Sequence, residues 1–140
     1  MQRKIIPDVI RGDRELTAVP PQATVAEACQ LMRERNIGSV LVLVEGALEG
    51  IFTERDVVHR VVAAGRDAIA TEVSAVMTRQ PDTIDADSTA IEALRLMHFG
   101  GYRHLPVMSK GQLVGVVSRR DFFGAEKARL DDETELWERL

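Results

Sequence analysis

The chain has 140 residues and a formal net charge of −4, with 45% hydrophobic and 29% charged residues. This balance is typical of a folded globular protein and excludes an intrinsically disordered chain. The acidic charge argues against nucleic acid as a partner, because the chain has no excess of Lys and Arg to neutralise a phosphate backbone.

The sequence shows no feature of a membrane or exported protein. Val40–Val44 is the longest uninterrupted apolar run and is far shorter than the roughly 20 residues that span a bilayer. The first ten residues contain no apolar stretch leading to a cleavage site, and Cys29 has no second cysteine with which to form a disulfide. We therefore expect a cytoplasmic protein without membrane contact.

An internal repeat with a constant offset of 65 residues organises the chain. The segment 24–32 (TVAEACQLM) matches 89–97 (TAIEALRLM), and the segment 50–56 (GIFTERD) matches 115–121 (GVVSRRD). No gap is needed between the two matching blocks, so we expect equivalent turns to have the same length in both copies.

The first copy predicts the order β-α-β-β-α. A capping box at Thr24-x-x-Glu27 begins a helix, and the apolar run Ser39–Val44 predicts a strand. A turn centred on Glu45-Gly46 joins this strand to a second one ending at Phe52, and another helix begins at Thr53. The apolar residues predicted on that helix are Val57, Val58, Val61 and Val62.

The second copy predicts the same order. Its capping box is Thr89-x-x-Glu92, its first hairpin strand is Leu105–Met108, and its turn is Lys110-Gly111. The last helix of this copy is predicted to begin at Ser118 and to carry Phe122 and Phe123.

Three further segments complete the predicted organisation. Val73–Met77 predicts a short helix leading into the second copy, with Val9-Ile10 as its counterpart before the first. The tail Asp131–Leu140 predicts one more helix with Leu136, Trp137 and Leu140 on one side. We therefore expect an α+β protein in which residues 1–70 form the first repeat with its lead-in, 71–127 the second repeat, and 128–140 a helical tail.

A glycine, a hydroxyl residue and an aspartate recur where each hairpin meets its following helix. As a helix cap alone, a hydroxyl with an acid three positions later is worth about 1 kcal/mol and needs no ligand. Three features favour a ligand: Asp is shorter than the Glu of the other two caps, glycine permits close backbone approach, and a helix start attracts anions. The residues concerned are Gly50, Thr53 and Asp56 in the first copy and Gly115, Ser118 and Asp121 in the second.

These residue types suit a nucleotide. Thr53 or Ser118, with the free N–H groups of its helix, would hold a phosphate, and the aspartate would accept hydrogen bonds from two ribose hydroxyls. Arg55 and Arg120 lie beside the aspartates and are candidates for further phosphate contacts.

The doubled pattern with GIFTERD and GVVSRRD resembles the CBS domain pair, a module named after cystathionine beta-synthase. The resemblance covers about Val9 to Lys127. It implies two repeats packed through their sheets around a pseudo-twofold axis, with two clefts between them, and a disc-like homodimer of two such modules. The clefts of this family bind AMP, ADP or ATP, and less often NAD(H) or S-adenosylmethionine.

The resemblance also implies that each cleft is composite. One cleft would combine Thr53 and Asp56 of the first repeat with Asp82, Thr83, Tyr102, Arg103 and His104 of the second. The other would combine Ser118 and Asp121 of the second repeat with Thr17, Ala18, Val19, Ile37, Gly38 and Ser39 of the first. Segment 103–106 (RHLP) follows a common family pattern, whereas 38–41 (GSVL) lacks its basic residue, so the two clefts need not be occupied equally.

Three functional classes remain open. They are a non-catalytic regulatory module that reports nucleotide status to an unknown partner protein, a structural dimerisation unit that ignores nucleotides, and an enzyme acting on the bound nucleotide. His59, His98 and His104 lack metal-ligand spacing, and neither a Gly-x-Ser-x-Gly elbow nor a Walker loop occurs. We expect the regulatory class, without catalytic residues, catalytic cofactor or metal, because a structural unit has no evident need for two copies of the glycine and aspartate.

Overall fold

The computed structural model describes residues 2–12, 15–122 and 129–135. It contains two compact units, one comprising Leu16–Pro81 and the other Met1–Glu15 together with Asp82–Leu140. Each unit has its own sheet and its own cluster of buried apolar side chains. The units differ from the sequence repeats at their ends, because the segment before the first copy packs with the second copy, and the segment before the second copy packs with the first.

The Leu16–Pro81 unit contains a four-stranded sheet in the order β1-β2-β3-β4, in which only the β1–β2 pairing is parallel. The strands are β1 (Ala18–Val19), β2 (Ser39–Val44), β3 (Ala47–Thr53) and β4 (Thr78–Arg79). Helix α1 is Val25–Arg35, and α2 begins as Glu54–Asp56 and continues as a π-helix over Val57–Val62. A 3-10 turn over Val73–Ala75 precedes β4.

The other unit contains a three-stranded sheet in the order β5-β6-β7. The strands are β5 (Ile84–Asp85), β6 (His104–Ser109) and β7 (Gln112–Ser118), and helix α3 is Ala90–Gly100. A 3-10 turn over Arg119–Asp121 follows β7, and residues 129–135 form helix α4. The N-terminal segment contributes a helical turn over Ile5–Val9 with a cis Ile6–Pro7 peptide bond.

The two hairpins have the same register at the predicted offset. Ser39 pairs with Thr53 and His104 with Ser118, and both ladders shift after the equivalent pairs Val42–Gly50 and Val107–Gly115. Both turns have positive φ at their two central residues, which matches the type I′ turn that joins twisted strands. The φ values are 50° and 80° at Glu45 and Gly46, and 51° and 78° at Lys110 and Gly111. Equal turn lengths and the predicted α+β repeat are confirmed.

Helices α1 and α3 begin and end as their sequences predict. Both predicted capping boxes are formed, with Thr24 and Glu27 reciprocally bonded at 3.1 and 3.2 Å and Thr89 and Glu92 at 3.1 and 3.3 Å. Each helix ends at a left-handed residue, Asn36 in α1 and Gly101 in α3, the residue types that adopt this conformation most readily. Equivalent residues of the two helices are buried: Val25, Ala28 and Met32 in α1, and Ala90, Ala93 and Met97 in α3.

Helix α2 and its counterpart depart from the prediction. In α2 Val61 is buried, whereas Val58 and Val62 are 56% and 69% exposed. In the second copy, the described residues that follow Ser118 form only a 3-10 turn, and Phe122 is extended with φ −99°. Phe122 is fully buried in the apolar cluster of its unit, so core packing ends the helix there; Phe123 lies outside the described residues.

The remaining segments agree in part with the sequence. The short lead-in helix predicted over Val73–Met77 is present as the 3-10 turn over Val73–Ala75. Of the tail helix predicted over Asp131–Leu140, the described part, up to residue 135, is helical and belongs to α4. Its Leu130 is 1% exposed, and its Glu133 receives two hydrogen bonds from Arg95 of α3, at 2.7 and 3.1 Å. The described residues do not include Leu136, Trp137 and Leu140. Within the ranges that are described, no helix has the length and hydropathy needed to span a bilayer.

Candidate functional site

The first strand-to-helix corner, Thr53–Asp56, is closed by hydrogen bonds between its own residues. Asp56 Oδ2 accepts from the Thr53 backbone N–H at 3.0 Å and from the Thr53 hydroxyl at 3.2 Å. The Thr53 hydroxyl in turn accepts from the Asp56 backbone N–H at 3.2 Å. The hydroxyl and the carboxylate therefore form a complete helix cap.

The second corner, Ser118–Asp121, repeats this arrangement. Asp121 Oδ2 accepts from the Ser118 backbone N–H at 2.7 Å and from the Ser118 hydroxyl at 3.2 Å. The expectation that Asp, being shorter than Glu, reaches back less well to its helix start is wrong, because both aspartates reach back as closely as the glutamates of α1 and α3. The cap and a ligand site therefore use the same atoms.

The expected free N–H groups at the corners are partly used within the chain. The Glu54 N–H donates to the Gly38 carbonyl at 3.0 Å, and the Asp56 N–H is taken by the cap. In the second copy the Arg119 N–H donates to the Arg103 carbonyl at 2.8 Å. The hydroxyls are therefore more available to a phosphate than these backbone donors, because a hydroxyl can rotate toward a new acceptor.

The two corner glycines are explained by packing within each unit. A Cβ on Gly50 would lie 2.6 Å from Met77 Sδ and 2.8 Å from the Thr78 carbonyl oxygen. A Cβ on Gly115 would lie 3.1 Å from Ile10 Cδ1. The close approach that the sequence indicated is therefore made by the chain's own lead-in segments, and these glycines do not by themselves point to a ligand.

Asp56 is the more buried of the two site carboxylates, with 7% of its residue surface exposed, whereas Asp121 is half-buried. The second carboxylate oxygen of Asp56, Oδ1, lies 3.5 Å from Nε of Arg60, which is one helical turn further along α2. A buried carboxylate is costly without such a partner. Sequence reasoning did not include Arg60 in the site, although the spacing of four residues between an acid and a base on a helix is a recognisable signal.

The remaining site residues predicted in the first repeat gather beside its corner. Ser39 lies opposite Thr53 in the hairpin, and the Gly38 carbonyl accepts the Glu54 N–H. The Thr17 carbonyl accepts a hydrogen bond from the Leu41 N–H at 2.9 Å. The Thr17 hydroxyl accepts one from the Arg35 guanidinium, also at 2.9 Å. The other members of this group are Ala18 and Val19 in β1 and Ile37 just before β2.

The corresponding residues of the second repeat gather beside the second corner. His104 lies opposite Ser118, and the Arg103 carbonyl accepts the Arg119 N–H. Tyr102 donates its hydroxyl hydrogen bond to Asp82 Oδ2 at 2.8 Å. Burial, this hydrogen bond and the charge of Asp82 raise the pKa of Tyr102 to about 12. The exposed members of the group are Asp82, Thr83 and Arg103.

Each unit thus brings together one corner and the residues expected to complete the other corner's ligand contacts. The arginines that lie beside the aspartates, Arg55 and Arg120, are both exposed. Among the described residues no cluster of three or more His, Cys, Asp or Glu side chains could hold a metal ion. The chemistry gathered in each unit is therefore that of a hydroxyl, a carboxylate and nearby cationic side chains.

The family model of the CBS domain matches the chain twice, over residues 8–63 and 73–128. The CBS domain-containing protein CBSCBSPB3 of Arabidopsis thaliana is 40% identical over 109 residues, covering 77% of this chain and 19% of that protein. The chain spans about a fifth of the length of the Arabidopsis relatives that it matches. The CBS domain-containing protein YhcV of Bacillus subtilis is 35% identical over 107 residues, 76% of both chains.

Solved structures show the same fold. A CBS-domain protein of Burkholderia ambifaria, described as a signal-transduction protein, is 34% identical with a TM-score of 0.74, covering 79% of this chain and 80% of that one. The CBS domain protein PAE2072 of Pyrobaculum aerophilum, solved in complex with AMP, is 25% identical with a TM-score of 0.76, covering 89% and 95%. Because this family model matches the chain twice and YhcV is 35% identical over 76% of both chains, this chain belongs to the CBS-domain family.

Proposed function

We propose that the chain is a non-catalytic regulatory module that binds an adenosyl nucleotide and reports nucleotide status to a partner protein. The main support for this proposal is that the same hydroxyl–carboxylate corner occurs at equivalent positions of the CBS pair, as Thr53–Asp56 and as Ser118–Asp121. The AMP complex of the Pyrobaculum aerophilum relative supports AMP, ADP or ATP as the ligand class, with NAD(H) as a further candidate. Following the family resemblance, the proposal includes ligand contacts from both repeats.

Asp56 retains the capacity to bind ribose. A carboxylate has about four acceptor positions. The cap occupies two of them on Oδ2, and Arg60 lies beside Oδ1. Ribose hydroxyls would therefore donate mainly to Oδ1, and these charge-assisted bonds are stronger than bonds between neutral groups.

Phosphate binding requires the Thr53 hydroxyl to change its acceptor. Its proton now points to Asp56 Oδ2, so donation to a phosphate oxygen removes one bond of the cap. The Thr53 backbone N–H still holds the same carboxylate oxygen at 3.0 Å, so the helix start is preserved. The lost contact costs about 1 kcal/mol, and a charge-assisted bond to phosphate offsets this. Ser118 can make the same exchange.

Isothermal titration calorimetry with AMP, ADP, ATP and NADH tests the proposal. Asp56→Ala and Asp121→Ala should each lose about 1.5–3 kcal/mol of binding free energy at their own corner, at least roughly tenfold in affinity. Glu27→Ala and Glu92→Ala are matched controls, because they remove the equivalent cap carboxylate from α1 and α3 without touching a corner. The controls should bind nucleotide like the parent protein.

The alternative functions give different results in the same experiment. Nucleotide binding that is unchanged in both aspartate variants, or absent from the parent, would contradict the proposal and favour a structural dimerisation unit. Mass spectrometry of the recovered nucleotide should show it chemically unaltered, and turnover would move the protein to the enzyme class.

A homodimer is part of the proposal, following the family resemblance. Exposed apolar side chains on α2, Val58 and Val62, and Phe99 at 72% exposure on α3, are consistent with surfaces that another chain covers. Light scattering of the calorimetry samples should give twice the chain mass of 15.5 kDa.

A further inference from the structure

Arg60 contacts two different parts of the first unit. Its Nε lies 3.5 Å from Asp56 Oδ1, and its Nη1 donates to the Met77 carbonyl at 2.9 Å and to the Val76 carbonyl at 3.4 Å. The planar guanidinium presents donors in fixed directions, so one side chain can hold both a carboxylate and the backbone. Arg60 therefore connects the buried carboxylate of the first corner to a second segment of the chain.

That second segment is the connection by which the chain leaves the first unit. Met77 is 4% exposed and directly precedes β4, and the unit ends at Pro81. The segment is also held by β4 pairing to β3 and by the Gln80 N–H, which donates to the Glu49 carbonyl at 3.1 Å. We call residues 76–81 the connecting segment.

The second copy does not have this arginine. The constant offset of 65 places Ala125 opposite Arg60, and a methyl group can neither donate a hydrogen bond nor carry charge. Ala125 lies outside the described residues, but its identity alone excludes the same contact. The Arg60 contact therefore has no counterpart at the equivalent sequence position of the second copy.

We propose that Arg60 is a positioning residue that couples ligand binding at Asp56 to the anchoring of the connecting segment; the inference rests on the proposed nucleotide binding. A ribose that donates to Asp56 leaves the carboxylate charged and restricts its motion. The fixed carboxylate holds Arg60 in place, and Arg60 then holds the Met77 carbonyl more persistently. Because coupling is reciprocal, loss of the anchor weakens binding by the factor by which binding strengthens the anchor, roughly fivefold or more.

Hydrogen exchange of the backbone amides of residues 76–80, measured by mass spectrometry with and without saturating AMP, tests the coupling. AMP should slow this exchange roughly fivefold in the parent, the lower end of typical coupling factors. Arg60→Met keeps an apolar stem but removes the guanidinium, so exchange should be faster without AMP and should not respond to AMP. His59→Ala, an exposed neighbour on the same helix, is the matched control and should behave like the parent.

The outcomes separate this inference from the proposed function. If AMP binds Arg60→Met and slows its exchange as in the parent, the coupling is overturned while nucleotide binding stands. If AMP binds neither the parent nor any variant, both are overturned. Should Arg60→Met fail to fold, Arg60→Lys takes its place, because lysine keeps the charge near Asp56 but lacks the fork that joins two groups. The expected loss of the AMP response is the same.

Discussion

The two strand-to-helix corners have the same hydrogen bonds but different surroundings. Asp56 lies in helix α2, which continues to Val62 and carries Arg60, whereas Asp121 is followed by an extended and fully buried Phe122. The cap geometry therefore depends on the hairpin and the few residues after it, and not on a long helix. The residues C-terminal to each cap determine how that corner is stabilised and which part of the chain it contacts.

The largest expected effect is the loss of stability in Phe122→Ala. The variant to compare with it is Val57→Ala, at the equivalent position of the first copy. Phe122 is fully buried, so its truncation should destabilise the protein by about 3–5 kcal/mol. Val57 is only partly buried, so its truncation should cost about 1 kcal/mol or less. Chemical denaturation measures both losses, and equal losses would show that the two corners are stabilised in the same way after all.

An intermediate effect is expected at the corner glycines. Gly50→Ala places a methyl group 2.8 Å from the Thr78 backbone oxygen, which cannot move without disturbing β4. We expect overpacking to cost about 1–3 kcal/mol there. Gly115→Ala places its methyl 3.1 Å from Ile10 Cδ1, the end of a side chain that can shift, so the cost should be less than about 1 kcal/mol.

Thermal unfolding of the two alanine variants provides the measurement. Gly50→Ala should show clearly the lower midpoint. If Gly115→Ala were the more destabilised, the assignment of Gly50 to backbone packing against β4 would be wrong.

The smallest expected effect is on the titration of Tyr102, a group that the first copy lacks because Ile37 occupies the equivalent position. Tyr102 is the only tyrosine, so ultraviolet absorbance follows its titration directly. Burial and the bond to Asp82 raise its pKa to about 12, above the usual value of about 10. Its contribution to stability is therefore complete below about pH 10 and is lost as the pH rises toward about 12.

Asp82→Asn checks the cause of this shift. The variant should lower the pKa of Tyr102 without restoring its ordinary value, because burial, the largest cause, remains. A phenol that titrates at its ordinary value in the parent would contradict the hydrogen bond itself.

Features whose determining residues lie close together along the chain could be predicted from the sequence. The hairpins, their Glu45-Gly46 and Lys110-Gly111 turns and the four capping pairs follow from short patterns, and the offset of 65 transfers each one to the second copy. The role of Gly50 could not be predicted, because it depends on packing against Met77 and Thr78, which are distant from Gly50 in the sequence. These residues lie beside and in β4, and that strand is too short to show a hydrophobic pattern.

In the candidate site, too, contacts between residues close in sequence were predictable and contacts between distant residues were not. The corner residues were identified from the sequence, and the Asp56–Arg60 spacing could have been read in the same way. The Tyr102–Asp82 bond joins residues 20 positions apart and needed the fold. The end of the second-copy helix at Phe122 was not predicted, because an aromatic residue at that position is equally compatible with a helix and with an extended chain entering a core.

The exchange of lead-in segments has a consequence for how the chain can be divided. Ile5 and Ile10, which precede the first copy, are buried in the unit of the second copy, and Val73, Val76 and Met77 are buried with the first. A fragment cut between residues 70 and 71 would separate each sheet from apolar side chains that cover it. Neither half would be an autonomous folding module, and a gene encoding one half alone would yield a protein with an uncovered core.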